Sequence, residues 1–207
     1  MREIICTNAI RWLEEQPDNS LPSAVTGIPD THTIQKDMTT AEYMQFIRIA
    51  SSLIMKKVRP DQYCIFILTD RKGDGIWIDK GHQIIDMALS LDMKQLWHKI
   101  IVNKQSVNFI MASYSHFLCF SKAGTPGKPT PDVMERGDIV YRYATGQIPT
   151  RIAIEFLAGK TDTVLDPFVG QGTVVAMANA YGMKGIGIDI DPEQCEKAKL
   201  LKLEKPI

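Results

Sequence analysis

The run Thr163-Val164-Leu165-Asp166-Pro167-Phe168-Val169-Gly170-Gln171-Gly172-Thr173 decides how this chain folds. Its apolar start suits a buried strand, and that strand ends on an acid. Two glycines follow, where a backbone must bend tightly and let a ligand approach. Residues 174–181 then read as a helix, so the unit is strand, turn, helix. A second apolar run, Gly185-Ile186-Gly187-Ile188-Asp189-Ile190, begins about 19 residues after Asp166 and again carries an acid at its end. An acid at the tip of a second strand accepts hydrogen bonds from both ribose hydroxyls. Together the two runs describe half of a Rossmann-like sheet holding a nucleoside.

The chemistry of the turn narrows the ligand. A dinucleotide rests its pyrophosphate on a helix N-terminus, usually with a third glycine packing that helix on the strand. Asp166 and Pro167 stand just before the turn here, and a carboxylate repels a pyrophosphate while suiting a cation or an amino group. A nucleotide-binding oxidoreductase is therefore disfavoured. The string Asp166-Pro167-Phe168-Val169-Gly170-Gln171-Gly172-Thr173 resembles the cofactor loop of the amino-methyltransferases of DNA and RNA bases, which bind S-adenosylmethionine (SAM). Their loop is Asp-Pro-Phe-x-Gly-Ser-Gly-Thr, so Gln171 in place of serine is the one departure. The resemblance implies SAM as cofactor, held by Asp166, Pro167, Phe168, Gly170, Gly172, Thr173, Asp189 and Ile190. It implies a Rossmann-like methyltransferase fold, a mixed seven-stranded sheet in a three-layer α/β/α sandwich.

Composition agrees with one globular domain. The chain has 207 residues, 44% hydrophobic and 23% charged, enough for a single real core. Formal net charge is zero, so any polyanion must be met by a local patch rather than a global field. The four cysteines, Cys6, Cys64, Cys119 and Cys195, show no metal-ligand spacing and read as free thiols in a reducing compartment. No apolar stretch reaches the roughly 20 residues of a membrane span, and no signal sequence opens the chain. The expectation is an intracellular protein, cytoplasmic or nuclear, with no metal site.

Strands are expected over 2–6, 23–26, 63–69, 95–102 and 109–120, the last two as an antiparallel pair. Helices are expected from Thr7 or Asn8, over 41–57, over about 81–90 and over 148–157. Residues 31–37, 70–75, 121–131 and 137–145 read as loops or turns. Strands alternating mostly with helices argue a three-layer α/β arrangement.

The cofactor loop lies near the C-terminal end, whereas most SAM-binding folds carry it first. One class of bacterial amino-methyltransferases has its motifs rotated in this way, with the target half before the SAM half. Those chains begin with a strand, a short helix ending in a Leu-Pro-Asp-type turn, and a strand closing on Thr-Ser-Pro-Pro-Tyr. This sequence is similar: Cys6-Thr7-Asn8-Ala9-Ile10-Arg11-Trp12-Leu13, then Gln16-Pro17-Asp18, then Val25-Thr26-Gly27-Ile28-Pro29-Asp30. The likeness divides one circularly permuted domain, 1–207, into a target half (1–145) and a SAM half (146–207). In the latter, Thr150 starts the helix whose family counterpart touches the methionine end.

The target motif is altered. An exocyclic amino group is a poor nucleophile, and the family's motif answers with a polar side chain and a proline carbonyl that accept its hydrogens, plus an aromatic ring stacked on the extruded base. Gly27, Ile28 and Asp30 replace the polar residue, the first proline and the aromatic, and only Pro29 persists. The candidate catalytic residues are Asp30, as base or orienting acceptor, Pro29 and Thr26, with His32 as a further base in the loop. Asp70-Arg71-Lys72 suits a phosphate-bearing substrate or a solvated turn, and Trp77 and Trp97-His98-Lys99 suit stacking or core packing. His116 reads as a satisfied internal histidine.

The expected activity is methyl transfer to nucleic acid. RNA is favoured over DNA, because a chain this short has little room for the extra target-recognition region of the DNA enzymes. The alternatives are a protein or small-molecule methyltransferase and an inactive SAM-binding subunit. Either an activating protein partner or a homodimer fits the altered motif.

Overall fold

Alternation along the short strands assigns each core residue to one face of the sheet. Ala24, Phe66, Leu118 and Leu165 point to one side, where they meet Leu13, Tyr43, Ile47, Ile54 and Ile84. Their neighbours Val25, Ile65, Phe117 and Val164 point to the other and meet Ala153, Ile154, Leu157, Met177 and Ala178. Strands buried on both faces read as continuous apolar runs, which is how residues 64–68 appear in the sequence.

The computed structural model describes residues 1–34, 38–73, 75–103 and 112–205. In chain order its elements are β1 (Arg2–Cys6), α1 (Ala9–Glu15), β2 (Ser23–Thr26), α2 (Thr31–Ile34), α3 (Thr40–Lys57), β3 (Cys64–Leu68), β4 (Arg71–Gly73), β5 (Ile76–Ile78), α4 (Lys80–Ser90), β6 (Lys94–Val102), β7 (Tyr114–Ser121), β8 (Val133–Glu135), α5 (Gln147–Leu157), β9 (Thr163–Asp166), α6 (Thr173–Ala180), β10 (Lys184–Asp189) and α7 (Pro192–Leu200). Local chemistry starts the helices: Asn8 caps α1, Thr39 and Glu42 form a capping box on α3, and Asp79 caps α4.

The main sheet has eight strands in the order β1-β10-β9-β2-β3-β7-β6-β8. Strands β1, β10, β9, β2 and β3 run parallel, and β7 is antiparallel to both β3 and β6. Strand β1 therefore pairs with β10, which in turn pairs with β9. Helices α1, α3 and α4 cover one face, and α5 and α6 the other.

Three sequence expectations change. The sheet has eight strands rather than seven, because β8 adds to β6; buried Lys99 fastens it by donating to Thr130 O, Pro131 O and Asp132. Arg71–Gly73 and Ile76–Ile78 pair as a separate hairpin, β4–β5, where residues 70–75 read as a turn. The loop at 31–37 opens with the short helix α2, and residues 35–37 lie outside the described residues, as does the His32 side chain. The start of the strand expected at 109 likewise lies outside them. Among the described residues no helix is long and apolar enough to cross a membrane.

Candidate active site

Parallel strands carry their ligands at their C-terminal ends, and here those tips converge. Asp189 ends β10, Asp166 ends β9, Gly27 to Asp30 follow β2, and Asp70 follows β3. One cleft of about 1170 Å³ opens across them and is lined by residues of both halves of the chain.

At one end the carboxylate of Asp189 is held by the loop itself. Its Oδ2 accepts from the Gly170 amide at 2.9 Å and its Oδ1 from the Asp191 amide at 2.9 Å. Gly170 presents that amide from φ +50°, and Gly172, at φ +92°, turns the chain into α6 as its N-cap. Asp166 is 4% exposed, and its Oδ1 accepts from the Thr26 hydroxyl at 2.7 Å and the Phe168 amide at 3.2 Å. Burial pushes the Asp166 carboxyl up to about 7, despite those two bonds. Neither Asp166 nor Asp189 forms a salt bridge among the described residues. Two acids facing one cleft without cations of their own suit a positively charged ligand.

Phe168 lines the same end, tilted against Phe46 with ring centroids 6.0 Å apart, and Ile190, 63% exposed, lines the wall beside Asp189. Tyr141 enters from the irregular segment before α5. Its hydroxyl accepts from the Gln171 amide at 3.2 Å, and a Cβ on Gly170 would stand 2.7 Å from it. Burial pushes that hydroxyl's pKa up, so it stays protonated. Beside it, the buried Thr173 hydroxyl faces the Tyr141 hydroxyl.

The other end is built around Asp30. Its Oδ1 accepts from Lys80 Nζ at 2.5 Å and from the Tyr43 hydroxyl at 2.9 Å. Tyr43 also donates to the Pro29 carbonyl at 3.2 Å, and the Lys80 side chain is only 3% exposed. Burial first, then the Asp30 charge, pushes the Tyr43 hydroxyl far above its ordinary value, which fixes it as a donor. Arg71 donates to the Thr31 hydroxyl close by. Deeper in, Asp70 accepts from the Lys80 amide at 2.9 Å and Trp77 Nε1 at 3.1 Å, and pairs with His116 Nε2 at 3.0 Å. Asp70, Asp79 and His116 bring ligand atoms within 4.8 Å of one another, but these bonds already occupy both oxygens of Asp70.

The structure brings together most residues singled out in the sequence. Asp166, Pro167, Phe168, Gly170, Thr173, Asp189, Ile190, Pro29 and Asp30 all line the cleft. Three stand behind it. The Thr26 hydroxyl positions Asp166 rather than facing a substrate, and Gly172 packs on Ala198 of α7. The Thr150 hydroxyl bonds Gly146 O at 2.8 Å, while Thr145 and Pro149 line the wall. Asp30 is not an isolated base but half of an ion pair. Sequence reasoning missed Lys80 and Tyr141: the first lies 50 residues from Asp30 and the second sits in a stretch without periodicity.

Comparison with known proteins bears on the fold and on the segment that carries Asp166 and Asp189. Residues 147–200 match the family model of the N6/N4 methyltransferases, described as DNA methylase. The type II methyltransferase M.BsoBI of Geobacillus stearothermophilus is 43% identical over 54 residues, covering 25% of this chain and 11% of that protein. The match thus spans about a tenth of that relative. Among solved structures, the cytosine-N4-specific PvuII DNA methyltransferase superposes with TM-score 0.76 at 17% identity, covering 100% of this chain and 88% of that one. TTHA0409 of Thermus thermophilus, solved with SAM, gives TM-score 0.71 at 18% identity, covering 96% of this chain and 92% of that one. The fold is that of the Rossmann-like methyltransferases.

Proposed function

We propose that this chain, which carries the SAM segment of the amino-methyltransferase family on that family's fold, binds SAM and transfers its methyl group to DNA. One observation carries the reading: Asp166 and Asp189, two carboxylates without a salt bridge among the described residues, share a cleft with the Asp30–Lys80 pair. The residues fit the cofactor. Asp189, already aimed by two loop amides, would hold the ribose hydroxyls, and Asp166 would face the amino group of the methionine end. Ile190 and Phe168 offer apolar walls, and the Thr173 hydroxyl supplies a buried donor. SAM, when bound, supplies an activated methyl on a sulfonium, so the protein's part is alignment and exclusion of water.

At the target end Asp30 takes over the work of the missing polar side chain. Its carboxylate is held in place by Tyr43 and Lys80, and it is placed to accept a hydrogen from an exocyclic amino group. The Pro29 carbonyl stands beside it, already touched by Tyr43. Gly27 is closely packed there: a Cβ would stand 3.2 Å from the backbone carbonyl oxygen of Ile67.

DNA replaces the RNA favoured from chain length. The matched family model is a DNA methylase and M.BsoBI is a type II methyltransferase. Length does not discriminate, since this chain covers 88% of an enzyme named as acting on DNA. The test is transfer of labelled methyl from SAM into DNA, RNA and protein fractions. Label in DNA as N6-methyladenine or N4-methylcytosine is expected; label confined to RNA or protein, or no SAM binding by calorimetry, refutes the proposal. A second reading, a SAM-binding subunit without transfer, draws support from the side chain absent at Gly27 and the ion-paired state of Asp30; it requires background label in every fraction with SAM binding intact.

Three variants separate the ends of the site. Asp189→Ala removes both loop contacts and the ribose partner, so SAM affinity should fall about 30-fold, ~2 kcal/mol, in calorimetry. Asp30→Asn and Lys80→Met should leave SAM affinity within about twofold and lower turnover at least about 100-fold. Unchanged turnover in both removes the pair from the mechanism.

A further inference from the structure

Among the described residues the β4–β5 hairpin pairs only with itself, apart from the main sheet. It springs from the C-terminal tip of β3, directly after Asp70, and Asp70, Arg71 and Lys72 line the cleft. Its second strand presents apolar surface to solvent, with Ile76 53% and Trp77 44% exposed. Of the chain's three tryptophans, Trp77 is the exposed one.

A two-stranded ribbon is marginal by itself, and this one is fastened from beneath. Trp77 Nε1 donates to Asp70, a residue 5% exposed whose carboxylate is also held by the Lys80 amide and His116. Tyr114 lies against the indole with planes 27° apart and centroids 6.5 Å apart. Lys72 Nζ stands 4.8 Å from the ring centroid. A depression of about 330 Å³, lined by Lys72, Gly75, Ile76 and Trp77, adjoins the cleft, and Lys72 borders both. An indole held at its edge yet open to solvent loses little freedom when a flat partner stacks on it.

Resting on the reading of the cleft as a DNA-methylating site, we propose that this hairpin is the element that grips the nucleic acid. Trp77 stacks on an unstacked base flanking the target, and Lys72 and Arg71 meet the adjoining phosphates. Asp30 occupies the position where the family carries its stacking aromatic, so base stacking passes to a neighbouring element at the same cleft. In the free protein the Lys72 ammonium covers the indole; a phosphate draws it aside and gives the ring to the base.

The test uses the full chain and a 20-base-pair DNA duplex. DNA should quench the tryptophan emission of the wild-type protein. Trp77→Leu, which keeps apolar bulk and loses the ring, should weaken duplex binding about five- to fiftyfold in anisotropy titrations. Lys72→Ala should lower the slope of log affinity against log salt by about 0.9, one phosphate contact. SAM affinity should stay at the wild-type value in both, and each variant should still melt in one cooperative transition, which separates a lost grip from a lost fold. DNA binding and methylation with unmoved emission and undiminished Trp77→Leu affinity overturn the hairpin's role alone. A wild-type protein that binds SAM but no nucleic acid overturns both this proposal and the DNA reading. Tighter binding to RNA of the same sequence, still lost in Trp77→Leu, keeps the grip and overturns only the choice of DNA.

Discussion

Asp166→Asn is expected to make the folded protein more heat-stable above pH 7 and to weaken SAM binding about 100-fold. Both effects come from one buried carboxyl. The folded chain raises it from 3.8 to about 7, chiefly by burial. Holding it ionised therefore costs at most ~4 kcal/mol relative to the unfolded chain. The sign follows from proton counting. Between those two values the folded state keeps a proton that the unfolded state has released, so stability falls as pH rises. The contribution is fully present below about pH 4 and lost above about pH 7. Asparagine removes this penalty. Its carbonyl oxygen can accept the same bonds from Thr26 and Phe168 that Oδ1 accepts now. A rise in melting temperature of the order of 5 °C at pH 8, shrinking at pH 5, is expected for a chain of this size.

The lost affinity has the same origin. A cationic ligand binds the ionised carboxylate, so below about pH 7 the wild-type protein must release a proton to bind SAM. Affinity should climb up to about tenfold per pH unit toward neutrality, and calorimetry in buffers of different ionisation heat should detect the released proton. In Asp166→Asn the affinity should be low and flat across the same range. A wild-type affinity independent of pH, with no proton released, would remove Asp166 from the cofactor end.

Gly172→Ala should be the most damaging single methyl in the loop, at about 3 kcal/mol and close to 10 °C of melting temperature. Gly172 sits at φ +92°, where an L side chain is strained. The added Cβ would also stand 2.9 Å from the Cα of Ala198 and 3.1 Å from its carbonyl oxygen, both backbone atoms of α7. A backbone cannot swing aside as a side chain can, so α7 must shift, together with the loop that holds Asp189. SAM binding should fall with stability. Gly182→Ala is the control: its φ is +78°, and nothing lies within 4 Å of the added atom, so only the backbone strain of about 1–2 kcal/mol should appear. Equal losses in the two variants would dismiss the α7 contact as the cause.

Chain-local features were legible before any coordinates. The strand ending on Asp166, the bend at Gly170 and Gly172 and the acid at Asp189 lie within one short stretch, and the period-2 and period-3.6 patterns placed their elements to within a few residues. Where such signals were weak, the reading slipped. The three-residue strands β4, β5 and β8 are too short to show alternation, and β8 is held by Lys99 from a distant strand.

Most of the longer strands, the Gly-rich loop and its two acids could be read from the chain alone, because each depends on residues a few positions apart. What those residues face was settled by packing. It set Thr26 behind Asp166, paired Lys80 with Asp30 across 50 residues, and laid Tyr141 against the Gln171 amide. Contacts between side chains on separate elements leave no period in the chain. They arise when parallel strands bring their tips together, and that convergence is a property of the packed sheet.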